Sequence, residues 1–169
     1  MATRAGLNDI KEKIQNLFLA ANTTTATPID LSANLASSIR VREILKLHPE
    51  MIIPQASMFP LVTCYIQNKN MRRDDIAGSQ LNTKRRSTIT VDVVGSVWNS
   101  NFSQVDEDPA DEDINYLMEN IELILRSNPS LDGLVSWQKP VSCRYYTTIL
   151  DEQTHLRSGI LQLECEVFY

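Results

Sequence analysis

Across the last ten residues, Ile160-Leu-Gln-Leu-Glu-Cys-Glu-Val-Phe-Tyr169, Leu161, Leu163, Cys165, Val167 and Tyr169 take the odd positions. Gln162, Glu164 and Glu166 sit between them. Successive side chains of a strand point to opposite faces, so this pattern predicts a strand with its odd row on a core and its even row in water. The same period recurs from Thr88 to Trp98, where Ile89, Val91, Val93 and Val97 oppose Thr88, Thr90, Asp92 and Ser96. It recurs again where Val141, Cys143, Tyr145 and Ile149 alternate with Ser142, Arg144 and Tyr146. A turn over Asp151 to Arg157 then leads into a terminal strand over 158–169, with the chain ending on that core strand. Leu61-Val-Thr-Cys-Tyr-Ile66 reads as a further short, apolar strand.

Two stretches carry the other period. Leu7, Ile10, Ile14, Leu17, Phe18 and Ala21 recur at three- and four-residue steps, which predicts an amphipathic helix over 5–21. Ile114, Leu117, Met118, Ile121, Ile124 and Leu125 predict a second from about Pro109 to Arg126. Asp108 can cap it, Pro109 suits its first position, and Asn128-Pro129 stops it. Residues 35–47 fit a helix through Leu35, Ile39 and Ile44/Leu45, or a strand through Ile39, Val41, Leu45 and Leu47; the strand reading covers about 38–46. Pro49, Pro54 and Pro60 predict a rigid, extended connection. From Gln67 to Ser87 no periodicity is visible, which predicts a long loop at the tip of a hairpin, at about 67–87. The order α-β-β-β-α-β-β predicts an α+β fold: an antiparallel or mixed sheet with a long β-hairpin, flanked by two amphipathic helices. A single domain over 1–169 is the expectation.

Charge adds one feature that the pattern lacks. The net charge is −5, yet Lys69, Arg72, Arg73, Lys84, Arg85 and Arg86 crowd the hairpin segment against only Asp74 and Asp75. Asp106, Glu107, Asp108, Asp111, Glu112 and Asp113 crowd the start of the second helix. Helix capping and the positive helix end account for the acids. The six cations are the candidate contact residues, for an acidic partner surface or for phosphate. No aromatic side chain lies between Gln67 and Ser87, so base stacking is not indicated. One fold with a basic and an acidic segment offers complementary surfaces to a second copy.

The motifs of catalysis are not found. There is no Gly-x-Gly-x-x-Gly, no Gly-x-x-x-x-Gly-Lys and no Gly-x-Ser-x-Gly, and the chain has only five glycines to build a phosphate cradle. His48 and His155 have no cysteine or acidic neighbour at ligand spacing, and Cys64, Cys143 and Cys165 lack a Cys-x-x-Cys pair. Each cysteine sits in an apolar or alternating run, so all three are expected to be small buried hydrophobes. Neither an enzyme, a cofactor nor a metal is expected. Nothing approaches the roughly 18 consecutive apolar residues of a membrane span. The amino terminus lacks the apolar stretch of a secretory signal, so folding in a cytoplasm is the expectation.

This arrangement resembles the tail terminator, or tail completion, proteins of long-tailed bacteriophages. The likeness runs through the first helix, the proline-rich run Pro49 to Pro60 into Leu61-Val-Thr-Cys-Tyr-Ile66, and the basic-tipped hairpin into Ile89-Thr-Val-Asp-Val. It continues through Ile114 to Leu125, Asn128-Pro-Ser-Leu-Asp-Gly-Leu134 and Gly159 to Tyr169. The resemblance implies a hexameric ring on the head-proximal end of the tail tube, which stops tube polymerisation and presents the surface that joins the head. It implies the tail tube protein and a head-tail connector or neck protein as partners, with assembly in the host cytoplasm and a final place in the virion. Weak, sequence-independent contact with DNA in the ring's channel is a further expected role of the cations. A neck or connector ring component, and a small cytoplasmic binding module for an acidic or phosphate ligand, are the alternatives.

Overall fold

The computed structural model describes residues 6–22, 30–35, 40–73, 85–99, 109–152 and 154–168. Helix α1 spans Leu7–Ala21 and is followed by β1 (Glu43–Leu45), two 3-10 turns (Pro49–Met51 and Ala56–Met58), β2 (Leu61–Arg73) and β3 (Arg85–Asn99). Helix α2 (Pro109–Arg126), β4 (Trp137–Ile149) and β5 (His155–Phe168) complete the order α-β-β-β-α-β-β. The strands form one mixed sheet in the order β1-β2-β3-β5-β4. β1 runs parallel to β2, and the other neighbours are antiparallel. The fold is α+β, as the periodicity predicts.

Both helices lie on one face of the sheet, and the two periods meet there. Ile10, Ile14, Phe18 and Ala21 of α1 and Ile114, Leu117, Met118, Ile121, Ile124 and Leu125 of α2 are buried in one core cluster. The sheet contributes Val62, Cys64, Ile89, Val91, Val93, Val97, Leu161, Leu163, Cys165 and Val167. The odd rows of β3 and β5 therefore face the core, and a one-residue slip would turn them all away from it. The even row departs from the expectation at its end: Glu166 is only 3% exposed rather than in water.

The Asn-Pro phrase after α2 works as a helix stop. Asn128 Nδ2 donates to the Ile124 carbonyl at 2.8 Å, and Gln138 Nε2 reaches back to the carbonyls of Leu125 and Asn128. Leu131, Asp132 and Gly133 take φ values of 48°, 57° and 82° in succession. The first is costly for a leucine, and burial of the Leu131 side chain in the core offsets it. Buried Asn120 of α2 donates to the carbonyls of Leu31 and Ala33, tying the turn after α1 to the second helix.

Five local expectations are corrected. Of the strand expected over 38–46, residues 38 and 39 lie outside the described residues, and among 40–46 only Glu43–Leu45 is strand, paired with Leu61–Thr63 of β2. The connection Pro49 to Pro60 is not extended throughout: Pro49 opens a 3-10 turn, where its missing N–H costs nothing, and a second such turn follows at Ala56. The loop expected at 67–87 is strand from Gln67 to Arg73 and again from Arg85, with 74–84 outside the described residues, since antiparallel pairing satisfies a polar backbone as well as an apolar one. The turn before the last strand is shorter, closed by the Leu150 N–H on the Thr154 carbonyl, and β5 begins at His155. Cys64 and Cys165 are buried as expected, but Cys143 is exposed, because its strand ends the sheet.

Candidate functional site

The hairpin of β2 and β3 forms an arm at one end of the sheet. Its register places Arg72 opposite Arg86, Arg73 opposite Arg85, Met71 opposite Ser87 and Lys69 opposite Ile89, beyond a bulge between Ile66 and Asn68. Five of the six candidate cations are thus gathered on one arm, while Lys84 lies outside the described residues. Like charges directly opposite one another repel, and one pair is relieved from inside the chain. Arg86 donates to Glu166 Oε2 at 2.6 Å, a carboxylate whose side chain is 3% exposed. Arg86 is therefore engaged within the chain as well as placed on the arm. Lys69 is half-buried. β1 covers the outer edge of β2 only from Leu61 to Thr63, and among the described residues no strand lies beside the rest.

The opposite end of the sheet is β4, thirteen residues long and, among the described residues, bonded on one side only, to β5. Such an edge presents a row of N–H and C=O groups to any incoming strand. Its apolar side chains are uncovered: Val141 is 48% exposed, Tyr145 45% and Ile149 75%. Beside them runs the outer stripe of α2, with exposed Tyr116, Glu119 and Leu123 and half-exposed Glu122. Burial, a hydrogen bond with Cys143 and the carboxylates of Glu119 and Glu122 push the Tyr145 phenol up to about 12. Burial likewise raises the Cys143 thiol, against the hydrogen bond with Tyr145 and with Glu122 adding to the rise. Sequence alternation here suggested a core-facing row. The available signal against that was the adjacent pair Tyr145-Tyr146, which sends a large amphipathic ring to each face, as suits a strand no layer covers.

The face of the sheet away from the helices carries a cleft of about 550 Å³, roofed by residues 48–59. Thr63, Tyr65, Ser96, Tyr146 and Ser158 contribute hydroxyls, and Phe59, Leu61, Leu156 and Ile160 contribute apolar surface. The Tyr65 hydroxyl donates to Asp92 Oδ2 at 3.1 Å, and the His48 ring packs on Tyr65 with centroids 4.3 Å apart. Burial first, then the Asp92 carboxylate, pushes the Tyr65 phenol up to about 12. Ser96 and Ser158 bond each other at 2.9 Å, while the buried Thr63 Oγ1 has no hydrogen-bond partner. The residues lining the cleft include Glu50 but neither Lys nor Arg, so it suits a neutral guest and not an acidic or phosphate one.

Among the described residues, no three His, Cys, Asp or Glu side chains gather as metal ligands, and no helix is long and apolar enough to cross a membrane. No protein-family model and no curated protein sequence matches the chain.

Proposed function

We propose that this chain is a structural virion protein of a long-tailed bacteriophage, forming a hexameric ring at the head-proximal end of the tail tube. There it ends tube polymerisation and provides the surface that joins the head. The observation that carries the reading is a sheet open at both ends, with a basic arm on one side and an uncovered strand beside an acidic helix face on the other. Two different ends that fit one another associate head to tail, and a repeated head-to-tail contact closes into a ring when its rotation allows. The basic residues of the arm, Lys69, Arg72, Arg73 and Arg85, with Lys84 beside them in sequence, serve the neighbouring copy or the DNA in the channel, so association weakens as salt rises.

Phage particles made without this protein test the proposal. The expected result is tails of irregular, excessive length that fail to join heads. Tails of normal length that stay unjoined favour a neck or connector ring instead, and normal joined virions overturn the assignment. The cleft on the open face supports a second reading, a binding module for a small neutral guest.

A further inference from the structure

We infer that β4 of one copy adds antiparallel to the outer edge of β2 of a second copy, along the arm beyond the bulge at Ile66, giving a sheet that continues from copy to copy. The inference rests on the ring reading and specifies its interface. Strand direction alternates across β2, β3, β5 and β4. A neighbour's β2 laid antiparallel on β4 continues that alternation and keeps the helices of both copies on one side, a repeat that a rotation can propagate. Among the described residues β1 covers β2 only to Thr63, so the edge from the bulge to Arg73 is open, and β4 is long enough to span it.

Side-chain parity fixes which residues share a face, and the limit set by β1 favours one register. On β4, Cys143 and Tyr145 lie on the helix side, opposite Leu161 and Gly159. On the arm, Lys69 and Met71 lie on the helix side, opposite Ile89 and Ser87. Pairing Met71 with Cys143 puts Lys69 with Tyr145, and ends before β1 is reached. Met71, 73% exposed, then covers the apolar row that β4 leaves open.

Charge selects this partner over the obvious rival, a twofold pairing of β4 with itself. From Gln67 to Arg73 the arm carries no acid; Lys69 and Arg73 hold helix-side positions, and Arg72 a position on the opposite face. The groups that face its landing site on the helix side are Glu119 and Glu122 from α2, with Tyr145 and Cys143 from β4. The nearby cations are engaged or turned away: Arg126 binds Glu122, Arg157 binds Asp111, and Lys139 and Arg144 pair in register with Glu164 and Ile160 on the opposite face. A twofold β4 pair would set Glu119, the acid there that Arg126 does not bind, against its own copy, whereas the arm brings the opposite sign.

Cysteine placement supplies the test. Facing residues of antiparallel strands have Cα atoms about 4.5–5.5 Å apart, within disulfide range. Cys64 and Cys165 are buried, with thiols pushed up to about 11 and about 12, while Cys143 is exposed. The full-length Met71→Cys variant, concentrated and mildly oxidised, is expected to give a ladder of covalent multimers, with peptide mapping showing a bond between position 71 and Cys143. Adding Cys143→Ser should abolish the ladder, and Asn70→Cys, one residue away on the opposite face, should not form it. Multimers in light scattering without the 71–143 bond, or equal linking from position 70, overturn the strand addition but leave the ring. A Cys143–Cys143 dimer of the unsubstituted protein overturns it in favour of the twofold pair. A protein that stays monomeric at every concentration overturns both.

Discussion

Gly95 of β3 and Gly159 of β5 stand opposite each other in the register and form a notch that receives Met118 of α2. A Cβ built at Gly159 would lie 2.6 Å from Met118 Cγ and 2.8 Å from its Sδ. Carbon atoms pack best at about 3.5–4.0 Å, so α2 or β5 must move by roughly an ångström. Cγ lies near the root of the side chain, and a change of rotamer at its far end does not clear the clash. Overpacking of this kind costs about 1–3 kcal/mol. A glycine-to-alanine change also removes freedom from the unfolded chain, which returns about 0.4–1 kcal/mol. Gly159→Ala is therefore expected to lose about 0.5–2 kcal/mol net. At Gly95 the nearest atoms are Met118 Sδ at 2.9 Å and Leu117 Cδ2 at 3.1 Å, both at flexible ends. Gly95→Ala is expected to cost less than about 1 kcal/mol. Urea unfolding of the two variants, with the slope unchanged, measures both. In a Met118→Ala background, Gly159→Ala should become neutral or stabilising, because the clash has gone. Gly159→Ala as stable as the parent, or less harmful than Gly95→Ala, would falsify the notch.

Removing the guanidinium in Arg86→Ala leaves the Glu166 carboxylate buried without its partner, for an expected loss of about 1–3 kcal/mol by urea unfolding. Glu166→Gln in the same chain should recover part of it, and full stability of Arg86→Ala alone would refute the pairing. Charge reversal of the arm should accordingly use Arg72, Arg73 and Arg85, which is expected to leave the fold intact and weaken multimer formation; unchanged assembly counts against the arm as a contact. Tyr65 has a folded pKa near 12 against an ordinary value of 10.0, so its contribution is complete below pH 10 and is lost as pH rises toward 12. Unfolding midpoints across that window should fall more steeply for the parent than for Tyr65→Phe, and parallel curves would show that the Asp92 contact carries no such linkage.

Periodicity alone determined the two helices and the core rows of β3 and β5, because burial on one face of a helix or strand leaves a repeat in the chain; it left residues 35–47 open between helix and strand. Leu163 and Ile114 are legible in this way. Element extent was not. The arm from Gln67 to Arg73 is polar and unpatterned, and it is a strand because β3 lies alongside to satisfy its backbone. Exposure was equally hidden. Cys143 and Cys165 sit in similar alternating runs, yet one is on the surface and the other in the core, since strand order puts β5 inside the sheet and β4 at its end. Charge count named six cations, but the pairing of Arg86 with Glu166 joins residues eighty apart. Local pattern records which residues prefer burial. Only the tertiary arrangement decides which are covered and which remain for a partner, because coverage depends on neighbours distant in the chain.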